Sequence, residues 1–176
     1  LVPVQTRASV QTGRLDLQQF AESFQDDTIL VSVMLANNEI GVVQPLSAIG
    51  DLCASRGVLL HCDATQAVGK MPIDVRRLGV DLMSFSAHKL YGPKGVGALY
   101  VRRRSPPIRL IPLIDGGGQE KRLRSGTRNV PGIVGFAKAV QLSVQEMPDE
   151  IPRVAQLRQQ LYQGLSESIE DCRWIN

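Results

Sequence analysis

The chain has 176 residues, of which 43% are hydrophobic and 21% are charged, so it can bury a core and does not have the composition of a disordered protein. Its net charge of +3 is too small to indicate a nucleic-acid partner. No apolar run approaches the roughly 20 residues of a membrane-spanning helix, and three widely spaced cysteines favour a reducing compartment, the cytoplasm, over a disulfide framework.

The two ends of the chain have the patterns of interior structural elements. Residues 2–10 have the pattern of a strand, and a new apolar segment begins within residues 172–176. We therefore expect a piece of a longer protein, truncated at both ends.

Three apolar runs, at residues 28–36, 58–62 and 81–86, predict strands, and the first has the pattern of a strand that is buried on both faces. Helical spacing over residues 45–56 predicts a helix between the first two strands, and residues 74–78 predict a short helix between the second and third. Strands that alternate with helices imply crossover connections and a parallel sheet.

The fourth predicted strand, residues 95–101, follows a different kind of connection. The link from Lys89 to Gly95 is too short for a helical crossover, so this strand is expected to run antiparallel to the others. The fold class is therefore α/β, with a mostly parallel sheet and flanking helices.

Two helices are predicted after the sheet, at residues 130–147 and 151–169, with Pro148 as a hinge between them. We expect residues 1–147 to form the central part of one domain and residues 148–176 to begin a second, smaller one.

Polar side chains follow each of the three predicted parallel strands. Ligands of open α/β sheets bind outside the carboxyl ends of the strands. A single polar cluster is commonly no more than the end of a strand, but three neighbouring clusters favour a binding crevice. The candidate residues are Asn38, Asp63, Gln66, Ser86, His88 and Lys89.

Three kinds of site are compatible with some of these residues. A metal site would need His61 and Cys62 to converge, and adjacent strand residues point to opposite faces. A phosphate loop would need a pattern that residues 92–97 lack. Pyridoxal phosphate needs a lysine for a Schiff base and an acid for its ring nitrogen, and it fits best. We expect no metal.

Four blocks of the chain carry a family resemblance. They are residues 36–41 (ANNEIG), 61–66 (HCDATQ), 84–95 (SFSAHKLYGPKG) and 116–127 (GGGQEKRLRSGT). In order and spacing they resemble the cysteine desulfurases, which belong to the class V aminotransferase group of pyridoxal-phosphate enzymes with fold type I. Residues 91–95 resemble the housekeeping iron–sulfur branch of that family.

The resemblance implies roles for the residues around the predicted lysine. Lys89 would form the Schiff base and move protons at the substrate α-carbon, with His88 beside it as a second catalytic residue. Asp63 would pair with the pyridine nitrogen. Family members have glycine where this chain has Ala87, which is a small departure.

The same resemblance assigns the remaining contacts to the cofactor. Asn38 and Gln66 would bind near the phenolic oxygen of the ring and the substrate. Ser86 and His88 would hold the phosphate. Thr127 would reach the phosphate of a neighbouring subunit, which implies a homodimer.

The implied enzyme removes sulfur from L-cysteine, giving L-alanine and an enzyme persulfide that passes to a sulfur acceptor or scaffold protein for iron–sulfur or thio-cofactor assembly. The family's nucleophilic cysteine and carboxylate-binding arginine match no position here. Cys53, Cys62 and Cys172 are poorly placed for that role, so this segment alone is expected to be inactive. Selenocysteine lyase, another class V enzyme and a non-catalytic module that only folds or dimerises remain alternatives.

Overall fold

The computed structural model describes residues 13–171. Its helices are α1 (Leu17–Glu22), α2 (Leu46–Ser55) and α3 (Val130–Ser168), its strands are β1 (Leu30–Met34), β2 (Leu59–Asp63), β3 (Leu82–Ser86) and β4 (Gly97–Val101), and 3-10 turns span Ala87–Leu90 and Gln119–Arg122. The predicted strand at residues 2–10 and the position of Cys172 lie outside the described residues.

The four strands form one mixed sheet in the order β1-β2-β3-β4. The first three are parallel, with Ser32 opposite His61 and Asp63 opposite Ser84. β4 pairs with β3 in the antiparallel sense, as the short link after Lys89 predicts. The predicted α/β class with a mostly parallel sheet is therefore confirmed.

Helix α2 ends where the sequence predicts, and its geometry shows why. Gly57 adopts a left-handed conformation, with a φ of 68°. The Gly57 amide donates to the Ala54 carbonyl at 3.2 Å and the Val58 amide to the Cys53 carbonyl at 3.0 Å, which is a Schellman cap. Val58 then leads directly into β2.

The predicted helix at residues 74–78 is wrong, because the segment between β2 and β3 is built from turns. Asp74 Oδ1 accepts hydrogen bonds from the amides of Arg76 and Arg77, at 2.8 and 3.2 Å. These are N-cap bonds, and the Leu78 amide donates to the Asp74 carbonyl at 3.0 Å, so the segment makes one capped turn that does not continue into a helix. Gly79, with a φ of 67°, then turns the chain towards β3.

The main core lies between one face of the sheet and the helices α1 and α2. Gly50 of α2 lies against the turn before β3, where a Cβ would come within 2.8 Å of the Leu78 carbonyl oxygen, so no larger residue fits. The buried core includes Phe20, Leu35, Leu46, Ile49, Cys53, Leu60, Cys62, Val80 and Met83.

The two helices predicted after the sheet are one helix, α3, with Pro148 and Pro152 in its interior. The Asn129 side chain caps its start by accepting from the Gly132 amide at 3.1 Å. An interior proline removes an amide donor and crowds the carbonyl of the preceding turn, yet α3 continues through Pro148, so the predicted hinge is not a break in the helix. Within residues 13–171, no helix has both the length and the apolarity needed to cross a membrane.

Candidate cofactor site at the carboxyl ends of the strands

Backbone hydrogen bonds hold the carboxyl ends of β1, β2 and β3 side by side. The Leu35 amide donates to the Asp63 carbonyl at 2.9 Å, and the Ala64 amide donates to the Ser84 carbonyl at 2.9 Å. Asp63 is the last residue of β2 and Ser86 is the last residue of β3. The sheet therefore brings the polar segments that follow the three strands to one edge, as predicted.

Asp63 is half-buried at this edge. Its Oδ1 accepts a hydrogen bond from the Thr65 amide at 2.9 Å, which starts the turn after β2. This contact fixes the carboxylate at the end of the strand, where it can face a ligand that lies across the edge.

The lysine and histidine of the site project from a short turn that buried residues anchor. Ala87 and Leu90 are buried and pack in a small cluster with Phe136 and Ala139 of α3, while His88 and Lys89 are exposed. The turn therefore presents a charged amine and an imidazole to solvent from a fixed base.

The chain reverses immediately after Lys89. Tyr91 adopts a left-handed conformation with a φ of 61°. The Gly92 amide donates to the Ala87 carbonyl at 3.0 Å, and the Ala87 amide donates to the Val96 carbonyl at 3.1 Å. These bonds close a tight loop that returns the chain into β4.

Ser86 and His88 lie together, as a shared ligand would require. The Ser86 hydroxyl and His88 Nδ1 are hydrogen-bonded at 2.8 Å. A hydroxyl and an imidazole at the end of a strand are donors that suit a phosphate oxygen.

Lys70 contacts a predicted site residue, and the sequence interpretation gave it no role. Its Nζ donates to Gln66 Oε1 at 2.9 Å, so the predicted ligand Gln66 is held by a neighbour. The pKa of Lys70 is lowered by burial and, to a smaller extent, by the positive charge of Lys89. The spacing of four residues between Gln66 and Lys70 was the available signal.

The two adjacent asparagines in the loop after β1, Asn37 and Asn38, have different surroundings. Asn37 Oδ1 accepts from the amides of Glu39 and Ile40 at 2.9 and 3.0 Å, so Asn37 shapes the loop. Asn38 is exposed beside it, and its side chain is the one presented to solvent.

Thr127 stands apart from the strand ends. It is exposed on a loop that closes on itself, since Ser125 Oγ donates to the Asp115 carbonyl at 2.9 Å and Arg128 pairs with Glu120 at 2.9 Å. In the described part of the chain, no hydrogen bond joins Thr127 to Asp63, Ser86 or His88.

The two described cysteines lie in the core. Cys53 and Cys62 are 1% and 0% exposed. Burial raises the pKa of Cys53 to about 11 and that of Cys62 to about 12, with smaller contributions from the negative charges of Asp81 and Asp63 respectively. Both thiols are protonated at neutral pH, and neither is a nucleophile.

The residues at this edge fit pyridoxal phosphate. An exposed amine can condense with an aldehyde, a half-buried carboxylate can pair with a protonated ring nitrogen, and a bonded hydroxyl–imidazole pair can hold a phosphate. Lys89, Asp63, Ser86 and His88 supply these groups from two neighbouring strand ends.

Comparisons with known proteins identify relatives of this chain. The family model for aminotransferase class-V matches residues 2–176. The chain is 56% identical over 158 residues to the cysteine desulfurase IscS of Anaeromyxobacter sp. (strain Fw109-5), covering 90% of this chain and 39% of that protein. A solved structure described as a NifS-like protein matches with a TM-score of 0.83 and 45% identity, covering 89% of this chain and 43% of that one.

A second solved structure, described as SspA in complex with cysteine, matches with a TM-score of 0.69 and 44% identity, covering 73% of this chain and 37% of that one. The chain therefore spans less than half the length of each of these proteins.

Proposed function

Because the chain belongs to the aminotransferase class-V family, we propose that it is the central part of the cofactor domain of a pyridoxal-phosphate-dependent cysteine desulfurase. What supports this proposal is the position of Lys89, Asp63, Ser86 and His88 at the carboxyl ends of two neighbouring strands, in a chain 56% identical to a cysteine desulfurase.

The proposed work of the site is divided among these residues. Lys89 would hold the cofactor through its aldehyde and would hold or deliver the proton at the substrate α-carbon. Asp63 keeps a proton on the ring nitrogen by charge pairing, and Ser86 and His88 bind the phosphate. Gln66 and Asn38 lie beside them for the ring oxygen and the substrate. The cofactor, when bound, supplies an electron sink for the charge that develops on the substrate.

L-cysteine is the proposed substrate, and it is also the molecule bound in the related SspA structure. In the reaction the carbon–sulfur bond breaks, the sulfur forms a bond with an enzyme thiolate, and L-alanine and a persulfide result. Cys53 and Cys62 are buried and protonated. The accepting thiol therefore belongs to a part of the protein outside the described residues, and a sulfur acceptor or scaffold protein then takes the persulfide sulfur.

The proposed enzyme is a cytoplasmic homodimer in which Thr127 binds the phosphate held by the neighbouring subunit. The loop around Thr127 makes its hydrogen bonds internally, and Thr127 is exposed, which leaves its hydroxyl available to a second chain. Residues 148–176 are proposed to begin a smaller domain, because the side chains of α3 beyond Met147 are mostly exposed and offer a surface for further structure.

Labelling of the lysine tests the proposal. Full-length protein would be mixed with pyridoxal phosphate, reduced with borohydride and digested for peptide mapping. We expect the pyridoxyl group on Lys89, and a Lys89→Ala variant should lose both the label and turnover. Lys94→Ala is the matched control, since Lys94 is an exposed lysine five residues away and should leave the label in place. A label on Lys70 or Lys94 in the wild-type protein would overturn the assignment.

A further inference from the structure

A histidine in the middle of the sheet is hydrogen-bonded on both sides. His61 of β2 lies between a serine of β1 and a serine of β3: its Nδ1 is 2.7 Å from Ser32 Oγ and its Nε2 is 3.1 Å from Ser84 Oγ. The three side chains therefore form a continuous hydrogen-bonded chain across three parallel strands.

This chain of side chains lies directly behind Asp63. Side chains two residues apart on a strand share a face, so His61 and Asp63 are neighbours on one face of β2. Cys62, between them, points to the other face and into the main core. Asp63 is paired in register with Ser84, whose hydroxyl is bonded to His61. Ser84 therefore links the His61 side chain to the strand position directly opposite Asp63.

The backbone pairing at this point is short. β1 and β2 pair over five residues, whereas β2 and β3 pair over only three, from His61 to Asp63. Asp63 is the last pair of that short ladder, next to the bond from the Ala64 amide to the Ser84 carbonyl at 2.9 Å. The Ser84–His61 bond adds a side-chain link at the same place.

The imidazole is suited to be a fixed link rather than a charged group. Burial lowers the pKa of His61, an effect that the nearby negative charge of Asp63 partly opposes. A neutral imidazole carries one N–H donor and one acceptor nitrogen. A serine hydroxyl can either donate or accept, so both ring nitrogens are satisfied without a net charge behind the carboxylate.

We propose that His61 is a positioning residue for Asp63: by tying β2 to Ser32 and Ser84, it holds the Asp63 carboxylate in place for the ring nitrogen of the cofactor. This inference rests on the proposed function, since it concerns the same cofactor site. His61 itself does not touch the cofactor, and its effect passes through the aspartate.

The test measures cofactor affinity in the full-length protein, by titration of the visible absorbance with pyridoxal phosphate. His61→Phe keeps a ring of similar size and removes both hydrogen bonds, and it should raise the Kd about tenfold, which is about 1.4 kcal/mol. Ser84→Ala removes one bond and should raise the Kd about threefold. His61→Gln, which retains a donor and an acceptor, should restore most of the affinity.

The deciding measurement repeats His61→Phe in an Asp63→Asn background. If His61 acts through Asp63, the two changes are coupled and the tenfold effect should largely disappear. An effect of undiminished size in that background, or a wild-type Kd in His61→Phe, would overturn the inference. Should His61→Phe fail to fold, the same comparison is made with Ser84→Ala.

Controls separate this inference from the proposed function. Ser47→Ala removes an exposed serine hydroxyl that donates to the Arg77 carbonyl at 3.2 Å, outside the site, and should leave the Kd unchanged. A wild-type protein that binds no pyridoxal phosphate would refute the proposed function. A wild-type protein that binds it through Lys89, together with an unaffected His61→Phe variant, would refute only the role of His61.

Discussion

The two ends of the sheet use charged residues in opposite ways. At the end where β2 and β3 begin, Asp81 is 6% exposed, and its carboxylate accepts from the Leu60 amide at 3.1 Å and pairs with Arg104 at 3.3 Å. At the other end, His88 and Lys89 are exposed on a turn that is anchored from below. At the first end the charged side chain of Asp81 bonds to groups of the protein itself. At the second end the side chains of His88 and Lys89 can contact a ligand.

The largest expected effect comes from the carboxyl end. Asp63→Ala in the full-length protein should weaken cofactor binding and nearly abolish turnover, since removing one partner of a desolvated charge pair costs about 3–5 kcal/mol. The free energy of unfolding without cofactor should change little. Cofactor content by absorbance and the release of alanine from cysteine measure the two functional effects. Wild-type turnover in this variant would show that Asp63 has no role in the cofactor site, and the proposed difference between the two ends of the sheet would be wrong.

The amino end should respond in stability. Asp81→Ala leaves the buried Leu60 amide without its acceptor and removes the partner of Arg104, so the free energy of unfolding should fall by about 1–3 kcal/mol. Urea unfolding measures this.

Arg104→Ala is the matched control for Asp81→Ala. The side chain of Arg104 is 41% exposed and that of Asp81 is 8% exposed, so solvent screens the pair from one side and its loss should cost about 1 kcal/mol, less than the loss of Asp81. A greater loss in Arg104→Ala than in Asp81→Ala would show that the ion pair, rather than the bond to Leu60, secures this end.

The smallest effect concerns the thiols between the two ends. The pKa values of Cys53 and Cys62 are raised by burial to about 11 and about 12, so the unfolded chain releases these protons at lower pH than the folded one. The folded state then binds more protons above about pH 9, and stability should fall as the pH rises through that range.

Alkylation with iodoacetamide checks the state of these thiols. In the folded protein Cys53 and Cys62 should stay unmodified at pH 8 and react only after unfolding. Rapid modification of either thiol in the folded protein would contradict its burial and reopen its candidacy as the sulfur acceptor.

Much of this arrangement could be predicted from local sequence patterns. Apolar runs located the strands, the length of the link after Lys89 indicated that β4 is antiparallel, and the motifs around Asp63 and Lys89 indicated the family. These features depend on neighbours along the chain, which a sequence displays directly.

Other features depend on spatial neighbours and were out of reach. The bonds of His61 to Ser32 and Ser84 require the register of three strands, which no local pattern gives. The short helix predicted at residues 74–78 is a single turn, closed by the bond from the Leu78 amide to the Asp74 carbonyl, because Gly79 in a left-handed conformation ends it at once. Pro148 predicts a hinge because proline often kinks or ends a helix. The continuation of α3 through Pro148 depends on its surroundings, which the local sequence does not display.

Helix α3 has a consequence for cooperativity. Its 39 residues correspond to about 58 Å of helix, yet its buried residues are Gly132, Phe136 and Ala139, all in the first third. Beyond them, Pro148 and Pro152 each lack an amide donor, and apolar residues such as Leu157 and Leu161 are 50% and 59% exposed. Helical order without tertiary packing is marginal in water. The far part of α3 therefore gains little from the folding of the sheet, and its stability is a property of whatever structure covers it.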